Sequence, residues 1–393
     1  MSAVSRHYVL AAGGTGGHLI PAFALAAELE RRGHHVALVT DARGAAIPGK
    51  PSTLTAHVLP AGRIGGRNPL EWVRGIRAIL KGRRMALRLF ESFQPSAVVG
   101  FGGYPALPAL LAATSAGIPT VIHEQNAVLG RVNRMLAGRV NAVATAYERV
   151  DRLASAHDEK VHLVGNPVRD EVLKLRDRPF PPLADEGLMR ILVTGGSQGA
   201  RVLSEVVPDG LAMLPAALRS RLQVTQQCRP EDIESVRNRY AGHDIPAELA
   251  TYFEDMADRL ADTHLFIGRA GASTIAELSA VGRPAILVPL PIATDDHQAA
   301  NAREMVAAGG ARSIRQERFT ASELAKQIQA MAQKPDTLAN AAHAAWNCGN
   351  PNAASDLADL VESFGGEPLM DVIRMMGQTA GRGKEALAME GAE

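Results

Sequence analysis

Two glycine-rich segments, each between an apolar run and a helical pattern, constrain the fold of this chain more than any other feature. Residues 13–17 read GGTGG after the apolar run 7–12, and residues 195–199 read GGSQG after the apolar run 190–194. A buried strand, a glycine turn and a helix together open a βαβ unit. Because this opening occurs twice, the sequence predicts an α/β fold with two Rossmann-like parallel-sheet domains that face each other across a cleft.

The other apolar runs supply the remaining strands of both sheets. Further strands are predicted in the first half at 36–40, 97–100, 120–123, 142–145 and 161–164, and in the second half at 222–227, 265–267 and 285–288. The first helix is predicted at 20–32. The second is predicted at 200–207 and ends at Pro208, because proline lacks the N–H that continues a helix.

The domain organisation follows from these runs. We place an N-terminal domain at 1–166 and a C-terminal domain at 167–347. A last helix at about 348–364 is expected to pack back on the N-terminal domain, and the Met- and Gly-rich segment 365–393 is expected to be a mobile tail.

Composition excludes several classes of protein. Hydrophobic residues make up 46% of the chain and charged residues 21%, which excludes a disordered chain. A net charge of +1 is too even for a protein that coats nucleic acid. The two cysteines cannot form a disulfide framework, and the first apolar run breaks after five residues, so we expect a reducing compartment and no secretory signal.

Residues 92–122 carry no charge, but four glycines and four prolines interrupt them, so we interpret them as a buried βαβ unit rather than a membrane span.

A histidine follows the first glycine turn directly. The turn exposes free N–H groups at a helix start, where anionic or sugar oxygens bind, and His18 would lie at the carboxyl edge of the sheet. Leu19 stands where a dinucleotide motif would have its third glycine, which disfavours a nicotinamide site. A structural turn without a ligand is the alternative.

The second half contains a comparable anion site. Residues 268–274 follow a strand with small side chains and enter a helix that contains Glu277, whose two oxygens could bind both hydroxyls of a ribose. Arg269 and Arg169 are the nearby candidates for additional positive charge. A solvated helix residue is the alternative for Glu277.

Two partial motifs are rejected. Residues 44–50 read GAAIPGK, but Pro51 replaces the Ser or Thr of a P-loop. Residues 123–127 begin like a metalloprotease HExxH and end in Ala127. We expect this segment to end a strand, with Glu124 and Asn126 directed into the cleft.

The segment 63–90 is strongly basic, with eight Lys or Arg residues and one acidic residue, Glu71. Apolar residues are interleaved at helical spacing, which is typical of a helix that adsorbs to an anionic membrane. A solvated helix is less favoured and nucleic acid least favoured, so we expect no nucleic-acid partner. The residues expected at the membrane are Trp72, Ile76, Arg77, Ile79, Leu80, Lys81 and Arg84.

Seven motifs in fixed order resemble one enzyme family. They are GGTGGH at 13–18, GFGGYP at 100–105, HEQN at 123–126, GNPVR at 165–169, GGSQGA at 195–200, RAGASTIAE at 269–277 and DHQ at 296–298. Together they resemble the MurG family, the peptidoglycan N-acetylglucosaminyltransferases of glycosyltransferase family 28. The resemblance covers about residues 8–364 and implies the GT-B fold. It also implies inverting transfer of N-acetylglucosamine (GlcNAc) from UDP-GlcNAc to the muramyl 4-hydroxyl of lipid I, which gives lipid II.

The resemblance also implies a setting and partners. The enzyme would act as a peripheral protein at the cytoplasmic face of the cell membrane, in peptidoglycan synthesis, cell shape and cell division. The implied partners are UDP-GlcNAc, lipid I, an anionic phospholipid surface and other proteins of cell-wall synthesis and division.

The resemblance assigns roles to residues of this chain. Thr15, Gly16, Gly17 and Asn126 would contact the donor sugar, and Gly102, Gly103 and Tyr104 would approach the diphosphate of the acceptor. Contacts to UDP or its sugar would come from Arg169, Ser197, Phe253, Ala272, Ser273, Thr274, Ile275, Ala276, Glu277 and Gln298, with Arg269 as added charge. The family often has Ser where Ala270 stands, so one hydroxyl near the diphosphate is absent.

The expected mechanism is a one-step inversion. We predict His18 as the base, because an ordinary histidine pKa of about 6.5 suits neutral conditions. Glu124 is the second candidate, and His18 could instead orient the acceptor. No cofactor or metal is expected, since the chain has no Asp-x-Asp pair of the kind that holds a metal in other glycosyltransferases. A different GT-B enzyme, such as a relative of UDP-GlcNAc 2-epimerase, and a non-catalytic nucleotide-sugar sensor are the rival interpretations.

Overall fold

The computed structural model describes residues 5–364 except 48, 63–68, 185–186, 197–198, 292 and 333. Within it the chain forms two parallel β-sheets, one in each half, with helices on both faces. The expected tail at 365–393 lies outside the described residues. The predicted α/β fold with two Rossmann-like domains is confirmed.

The N-terminal sheet has seven strands in the order β3-β2-β1-β4-β5-β6-β7. They are β1 (His7–Ala11), β2 (His35–Thr40), β3 (Thr55–Val58), β4 (Ala97–Gly100), β5 (Thr120–Glu124), β6 (Ala142–Thr145) and β7 (Val161–Leu163). The C-terminal sheet has six strands in the order β10-β9-β8-β11-β12-β13. They are β8 (Met189–Thr194), β9 (Leu222–Gln227), β10 (Ala247–Ala250), β11 (Leu265–Gly268), β12 (Ala285–Leu287) and β13 (Ala311–Ser313).

Helices lie between most successive strands of each sheet. Those of the first half are α1 (Gly16–Arg31), α2 (Ala42–Ala45), α3 (Pro69–Phe93), α4 (Leu107–Ser115) and α5 (Arg131–Leu136). Those of the second half are α6 (Asp170–Leu173), α7 (Arg201–Ala212), α8 (Ala216–Arg219), α9 (Ile233–Gly242), α10 (Met256–Ala261), α11 (Ala272–Val281), α12 (His297–Asn301), α13 (Arg303–Ala307), α14 (Ala321–Ala332) and α15 (Pro335–Asn347). The last described helix is α16 (Ala353–Phe364).

Three strands at or near sheet edges, β3, β10 and β13, were not predicted. β3 and β10 are partly exposed along their whole length, and β13 is buried only at its first residue. An edge strand has one paired neighbour and partial solvent contact, so it lacks the continuous apolar run of a central parallel strand.

Helix α7 continues through Pro208, so the predicted helix end there is wrong. The buried face of α7 includes Leu203, Val207 and Leu211, and Gly210 lies against Leu324 of α14. Proline removes one backbone hydrogen bond, at a cost of about 3 kcal/mol. Burial of this apolar face against α14 offsets that cost.

Helix α16 packs against α1 of the N-terminal domain. Leu357 and Val361 are buried in the same apolar cluster as the first strand. At the rim of this contact the Arg32 guanidinium donates to Asp359 at 2.5 Å and to Glu362 at 2.6 Å. The chain therefore crosses the domain boundary a second time after α15.

Candidate functional site

The first glycine turn lies against the GFGGYP turn at the carboxyl edges of β1 and β4. The Gly13 N–H donates to the Gly102 carbonyl at 2.9 Å, and a Cβ on Gly13 would lie 2.9 Å from the Gly103 Cα. Gly102 and Gly103 have φ of +91° and +78°, where side chains are strained. The two turns therefore form one continuous backbone surface at the edge of the sheet.

His18 lies on this surface. Its Nδ1 is 2.9 Å from the Thr15 hydroxyl, and a Cβ added to Gly102 would lie 3.3 Å from its Nε2. Burial, and to a smaller extent the charge of His297 from the other domain, lower the pKa of His18 to about 4. The imidazole is therefore neutral at neutral pH, with a nitrogen lone pair able to accept a proton.

Glu124 is buried, with 2% of its surface exposed, so its predicted direction into the cleft is wrong. Its Oε1 accepts from the backbone N–H and the side-chain amide of Asn126, both at 3.1 Å. Its Oε2 accepts from Gly130 N–H at 2.8 Å and from Asn133 Nδ2 at 2.9 Å. Burial raises the pKa of Glu124, while these hydrogen bonds lower it. The carboxylate thus orders the loop after β5 and holds Asn126.

His123 and Gln125 complete the buried network of the HEQN segment. The His123 Nε2 lies 2.9 Å from the Gly165 carbonyl in the GNPVR segment, and its Nδ1 lies 2.9 Å from the Gln125 amide nitrogen. Burial lowers the pKa of His123 to about 4. A neutral ring with its proton on Nε2 satisfies both contacts, so this histidine links the HEQN segment to the GNPVR segment.

The second predicted anion site corresponds to the start of α11. This ten-residue helix begins after Gly271, which is extended and makes no side-chain cap. The Ser273 hydroxyl is buried and has no hydrogen-bond partner among the described residues. Buried hydroxyls are normally paired, so this one indicates a ligand position beside free helix N–H groups. Helix α1 likewise begins after Thr15 without a side-chain cap, and the two helices contact each other across the domain boundary.

Arg169 and Glu277 form an ion pair beside this helix start. The Arg169 Nε donates to the Glu277 carboxylate at 2.8 Å, and Nη1 donates to Glu171 at 2.6 Å. Burial lowers the pKa of Arg169, but the carboxylate of Glu277 outweighs this effect, so the net pKa is raised. A positive charge and a carboxylate therefore lie side by side at the end of β11.

We predicted that Arg269 adds positive charge at the diphosphate, but its guanidinium is already occupied by other contacts. Its guanidinium donates to the Val288 carbonyl at 3.0 Å, to the Pro289 carbonyl at 3.3 Å and to Gln316 at 2.7 Å. Burial lowers its pKa. The side chain braces the loop after β12, so charge at the diphosphate would come from Arg169.

Gln298, Phe253 and Ser197 are three other residues predicted to contact the sugar donor, UDP-GlcNAc. The Gln298 carbonyl oxygen accepts from Leu290 N–H at 3.0 Å, which leaves its amide nitrogen for a ligand. The Phe253 ring is buried beneath the Arg259 guanidinium at 4.3 Å, so a ligand would meet the backbone there. Ser197 lies outside the described residues.

Asn301, which we did not predict, joins the two domains at the site. Its side chain is fully buried, donates to the Asn126 side-chain oxygen at 3.1 Å and to the Ala270 carbonyl at 3.3 Å, and accepts from Ala127 N–H at 2.8 Å. Its place three residues after Gln298, one helical turn away, was the available sequence signal.

Charged contacts surround this junction. Arg134 and Arg152 of the N-terminal domain pair with Asp295 at 2.7 and 3.0 Å, and Arg303 pairs with Asp151 at 2.8 Å. Asp295 has a φ of +59°, a conformation that aspartate tolerates better than most residues. The turn before α12 therefore meets the N-terminal domain in a specific geometry.

Helix α3 presents an apolar row beside a basic row. Trp72, Ile76 and Leu80, four residues apart, are 45%, 44% and 50% exposed. Exposed Arg77, Lys81 and Arg84 lie on the adjacent face. We name these six residues the α3 membrane face, after the membrane contact that the sequence predicts for them.

Ile79 does not belong to the α3 membrane face. It is 5% exposed and packs in the N-terminal core, so its predicted membrane contact is wrong. Arg63 and Arg67 lie outside the described residues. Among the described helices, none is both long and apolar enough to cross a bilayer.

Comparisons with known proteins agree with this geometry. Residues 8–145 match the glycosyltransferase family 28 N-terminal domain, and residues 190–361 match the C-terminal domain of that family. Relatives named UDP-N-acetylglucosamine--N-acetylmuramyl-(pentapeptide) pyrophosphoryl-undecaprenol N-acetylglucosamine transferase occur in Erythrobacter litoralis and Novosphingobium aromaticivorans. They are 74% and 76% identical, over 99% of this chain and 98% and 100% of the relatives.

A solved structure is similar over nearly the same length. The crystal structure of Acinetobacter baumannii MurG matches with a TM-score of 0.72 and 30% identity, covering 91% of this chain and 99% of that one. The family matches, the close relatives and this structural likeness agree with one another. The chain belongs to glycosyltransferase family 28.

Proposed function

We propose that this enzyme transfers GlcNAc from UDP-GlcNAc to the muramyl 4-hydroxyl of undecaprenyl-diphospho-N-acetylmuramoyl-pentapeptide, lipid I, and produces lipid II. The observation that carries the proposal is the meeting of two uncapped helix starts across one cleft. One of them carries neutral His18, and the other carries the unpartnered Ser273 hydroxyl. The activity named for the close relatives supports this choice of substrates.

The donor would bind to the C-terminal domain. Backbone N–H groups at the start of α11 and the Ser273 hydroxyl would bind the diphosphate, with Arg169 supplying the positive charge. Glu277 would exchange part of its contact with Arg169 for the two ribose hydroxyls. Gln298 and Asn126 would bind the sugar from opposite sides of the cleft.

The acceptor would bind to the N-terminal domain. Its diphosphate would lie against Gly102 and Gly103, where no side chain blocks the backbone. The 4-hydroxyl oxygen attacks the anomeric carbon as the bond to UDP breaks on the opposite face, so the configuration inverts. His18 takes the hydroxyl proton, and the leaving electron pair remains on UDP.

The decisive experiment measures UDP release from UDP-GlcNAc with and without a short-chain lipid I analogue. We expect release that depends on the acceptor and is unchanged by EDTA, because backbone N–H groups and Arg169 serve the diphosphate. UDP binding without release would favour a nucleotide-sugar sensor. Release without acceptor would favour an epimerase-like or hydrolytic enzyme.

Glu277→Gln is expected to weaken donor binding. The amide loses one ribose acceptor and the ion pair with Arg169, and hydrogen bonds to a charged group contribute about 1.5–3 kcal/mol. We therefore expect KM for UDP-GlcNAc to rise roughly 10- to 100-fold, with a much smaller change in KM for the acceptor. Glu171→Gln, which removes the other Arg169 partner, is the matched control. Equal effects of both substitutions would contradict a ribose contact at Glu277.

The acid side of the pH profile reports on His18. An ordinary histidine is protonated below about pH 6 and cannot act as a base. Since the pKa of His18 is lowered to about 4, we expect kcat/KM to persist down to about pH 5. His297→Gln removes a nearby positive charge and should move the acid limb to higher pH. A native limb centred near pH 6.5 would contradict the lowered pKa of His18.

We also propose that the enzyme acts as a peripheral protein at the cytoplasmic face of the membrane. The α3 membrane face combines three exposed apolar side chains with three basic ones, a combination suited to anionic phospholipid. Each basic side chain near such a surface contributes about 1 kcal/mol.

Charge reversal tests this contact. Arg77→Glu, Lys81→Glu and Arg84→Glu together are expected to lower affinity for phosphatidylglycerol vesicles at least 100-fold in low salt. Acceptor-dependent UDP release with a water-soluble acceptor should persist. The matched control reverses Arg201, Arg237 and Arg239 on the C-terminal domain. Unchanged vesicle binding in the α3 variant would assign α3 to an ordinary solvated surface.

A further inference from the structure

A small cavity lies where the chain passes between the two domains. Its volume is about 60 Å³. At roughly 10–15 Å³ for each water molecule, the cavity has room for about four waters or for one molecule of similar size. Residues 146–147 and 165–166 of the N-terminal domain, helices α11, α12 and α13, and the segment 348–350 after α15 line it. The cavity therefore touches both domains and both segments that connect them.

The two connecting segments pack closely at this cavity. The Asn350 side-chain amide donates to the Val164 carbonyl at 2.9 Å. A Cβ on Gly165, whose φ is +82°, would lie 2.8 Å from the Asn350 Nδ2. A Cβ on Gly349 would lie 2.6 Å from the Ser279 carbonyl of α11. A change in the arrangement of the domains would therefore change the shape of the cavity.

The inner end of the cavity contains an unpaired amide. Asn166 lines the cavity and is 8% exposed. Neither its Oδ1 nor its Nδ2 has a hydrogen-bond partner among the described residues. Buried amides normally have partners for both atoms. Asn166 therefore offers an acceptor and two donor hydrogens to an occupant of the cavity.

The mouth of the cavity is negatively charged. Glu304 lies at this open end, is exposed, and forms no ion pair within the described residues. Loss of hydration on the cavity side, and then the charge of Glu148, raise the pKa of Glu304, while a hydrogen bond from the Glu148 backbone lowers it. Among the described residues that line the cavity, none is Lys, Arg or His. The charges at the mouth therefore favour a cation.

We propose that this cavity binds a small molecule with a hydroxyl at one end and a primary ammonium group at the other. The hydroxyl donates to the Asn166 Oδ1 and accepts from its Nδ2. The ammonium group donates to the Glu304 carboxylate at the mouth. A carboxylate or phosphate in place of the ammonium group would be repelled by Glu304 and Glu148. No step of the proposed transfer uses Asn166 or Glu304.

The cavity shares helix α11 with the proposed donor site but lies on another face of it. Ile275 and Ser279 line the cavity, whereas Ser273 and Glu277 do not. An occupant contacts both domains, so its binding stabilises their present arrangement. One consequence rests on the proposed function: an occupied cavity should strengthen binding of UDP-GlcNAc, because the donor contacts both domains in that arrangement.

The test uses ethanolamine as the probe, at pH 7.5 and at ionic strength held constant with sodium chloride. We expect the Tm of the full chain to rise and to saturate, because the probe binds the native chain and not the unfolded one. Saturation should occur in the millimolar range, since so small a ligand gains little affinity. Ethylamine, which lacks the hydroxyl, and ethylene glycol, which lacks the charge, should bind at least roughly threefold more weakly. Glycolate, an anion, should not bind.

Asn166→Leu separates a ligand contact from a structural role. Leucine is close in size and removes both unpaired polar atoms, so this variant without ligand should melt at the native temperature or above it. Its Tm should not respond to ethanolamine. A lower Tm without ligand would show that Asn166 is paired within the native chain, and it would overturn the proposal.

Glu304→Gln changes the mouth of the cavity and leaves Asn166 in place. We expect the affinity for ethanolamine to fall at least roughly threefold, with no change for ethylene glycol. The matched control is Glu317→Gln, which removes an exposed carboxylate of the C-terminal domain outside the cavity. Equal losses in both variants would indicate general attraction to a negative surface and would overturn the proposal.

Two further outcomes have distinct meanings. If ethanolamine gives no saturable shift of Tm in the native chain, the cavity holds water alone and the proposal is wrong. Steady-state UDP release with the lipid I analogue tests the link to the donor, and we expect ethanolamine to lower KM for UDP-GlcNAc in the native enzyme but not in Glu304→Gln. A saturable shift with unchanged KM would overturn that link alone. Absence of any UDP release would contradict the proposed function and leave the binding result standing.

Discussion

Replacing His18 with glutamine is expected to lower turnover at saturating donor and acceptor by roughly 10²- to 10⁴-fold, the usual contribution of a positioned base. Glutamine keeps a polar group near the Thr15 hydroxyl, which lies 2.9 Å from the imidazole in the native enzyme, but it cannot accept a proton. The affinity for UDP should change less than threefold, because the proposed site for the UDP diphosphate lies on the other domain. Single-turnover kinetics with UDP-GlcNAc and a lipid I analogue measure the loss of rate, and calorimetry with UDP measures the affinity for UDP.

The matched control is His297→Gln, which replaces the histidine on the opposite side of the cleft. We expect this variant to retain turnover within about fivefold at pH 7.5. If His18→Gln loses less than about tenfold, His18 orients the acceptor and another group takes the proton. Glu124→Gln would then be tested, although the four hydrogen bonds that Glu124 accepts indicate a positioning role.

The central strands and the two glycine turns of this fold could be predicted from sequence because each depends on local composition. Strands β4, β6 and β9 have the predicted bounds, since each is a short run ended by polar or glycine residues. The edge strands β3, β10 and β13 could not be predicted, because they are partly exposed and lack a continuous apolar run. The remaining edge strand of the described sheets, β7, was predicted at 161–164. The end of α7 depends on packing against α14, which overrides the effect of Pro208.

The motifs located the candidate site but did not give the direction of every side chain. Glu124 and Arg269 both stand at the ends of strands, where charged residues commonly face a ligand. The structure turns Glu124 toward the loop after β5 and Arg269 toward carbonyl groups after β12. Each direction is set by unpaired backbone groups nearby, and the sequence does not show where those groups come to lie.

The last prediction concerns Asn301, because two of its three hydrogen bonds, those with Asn126 and Ala127, cross the domain boundary. They leave Asn126 fixed on both sides, by Asn301 at its carbonyl oxygen and by Glu124 at its amide nitrogen. The amide nitrogen keeps one further hydrogen for the donor sugar. The contact between the two domains and the orientation of Asn126 therefore depend on one buried side chain.

Asn301→Leu is expected to lower kcat/KM for UDP-GlcNAc by roughly 10- to 100-fold. Leucine is close in size but leaves the Ala127 N–H, the Ala270 carbonyl and the Asn126 oxygen without this partner. Loss of the contact with Asn126 costs about 1–3 kcal/mol, and a tenfold loss of rate corresponds to about 1.4 kcal/mol. Steady-state UDP release with the lipid I analogue measures the loss.

Arg303→Gln is the control for Asn301→Leu. It removes the surface ion pair between Arg303 and Asp151, whose charged atoms lie 2.8 Å apart across the same domain boundary. Exposed ion pairs contribute about 0–1 kcal/mol, so this variant should lose less than about fivefold. Affinity for UDP alone should stay within threefold in both variants, since UDP binds without the sugar contacts of Asn126. If Asn301→Leu weakens UDP binding as much as it lowers kcat/KM, then Asn301 supports the C-terminal domain as a whole and does not act through Asn126.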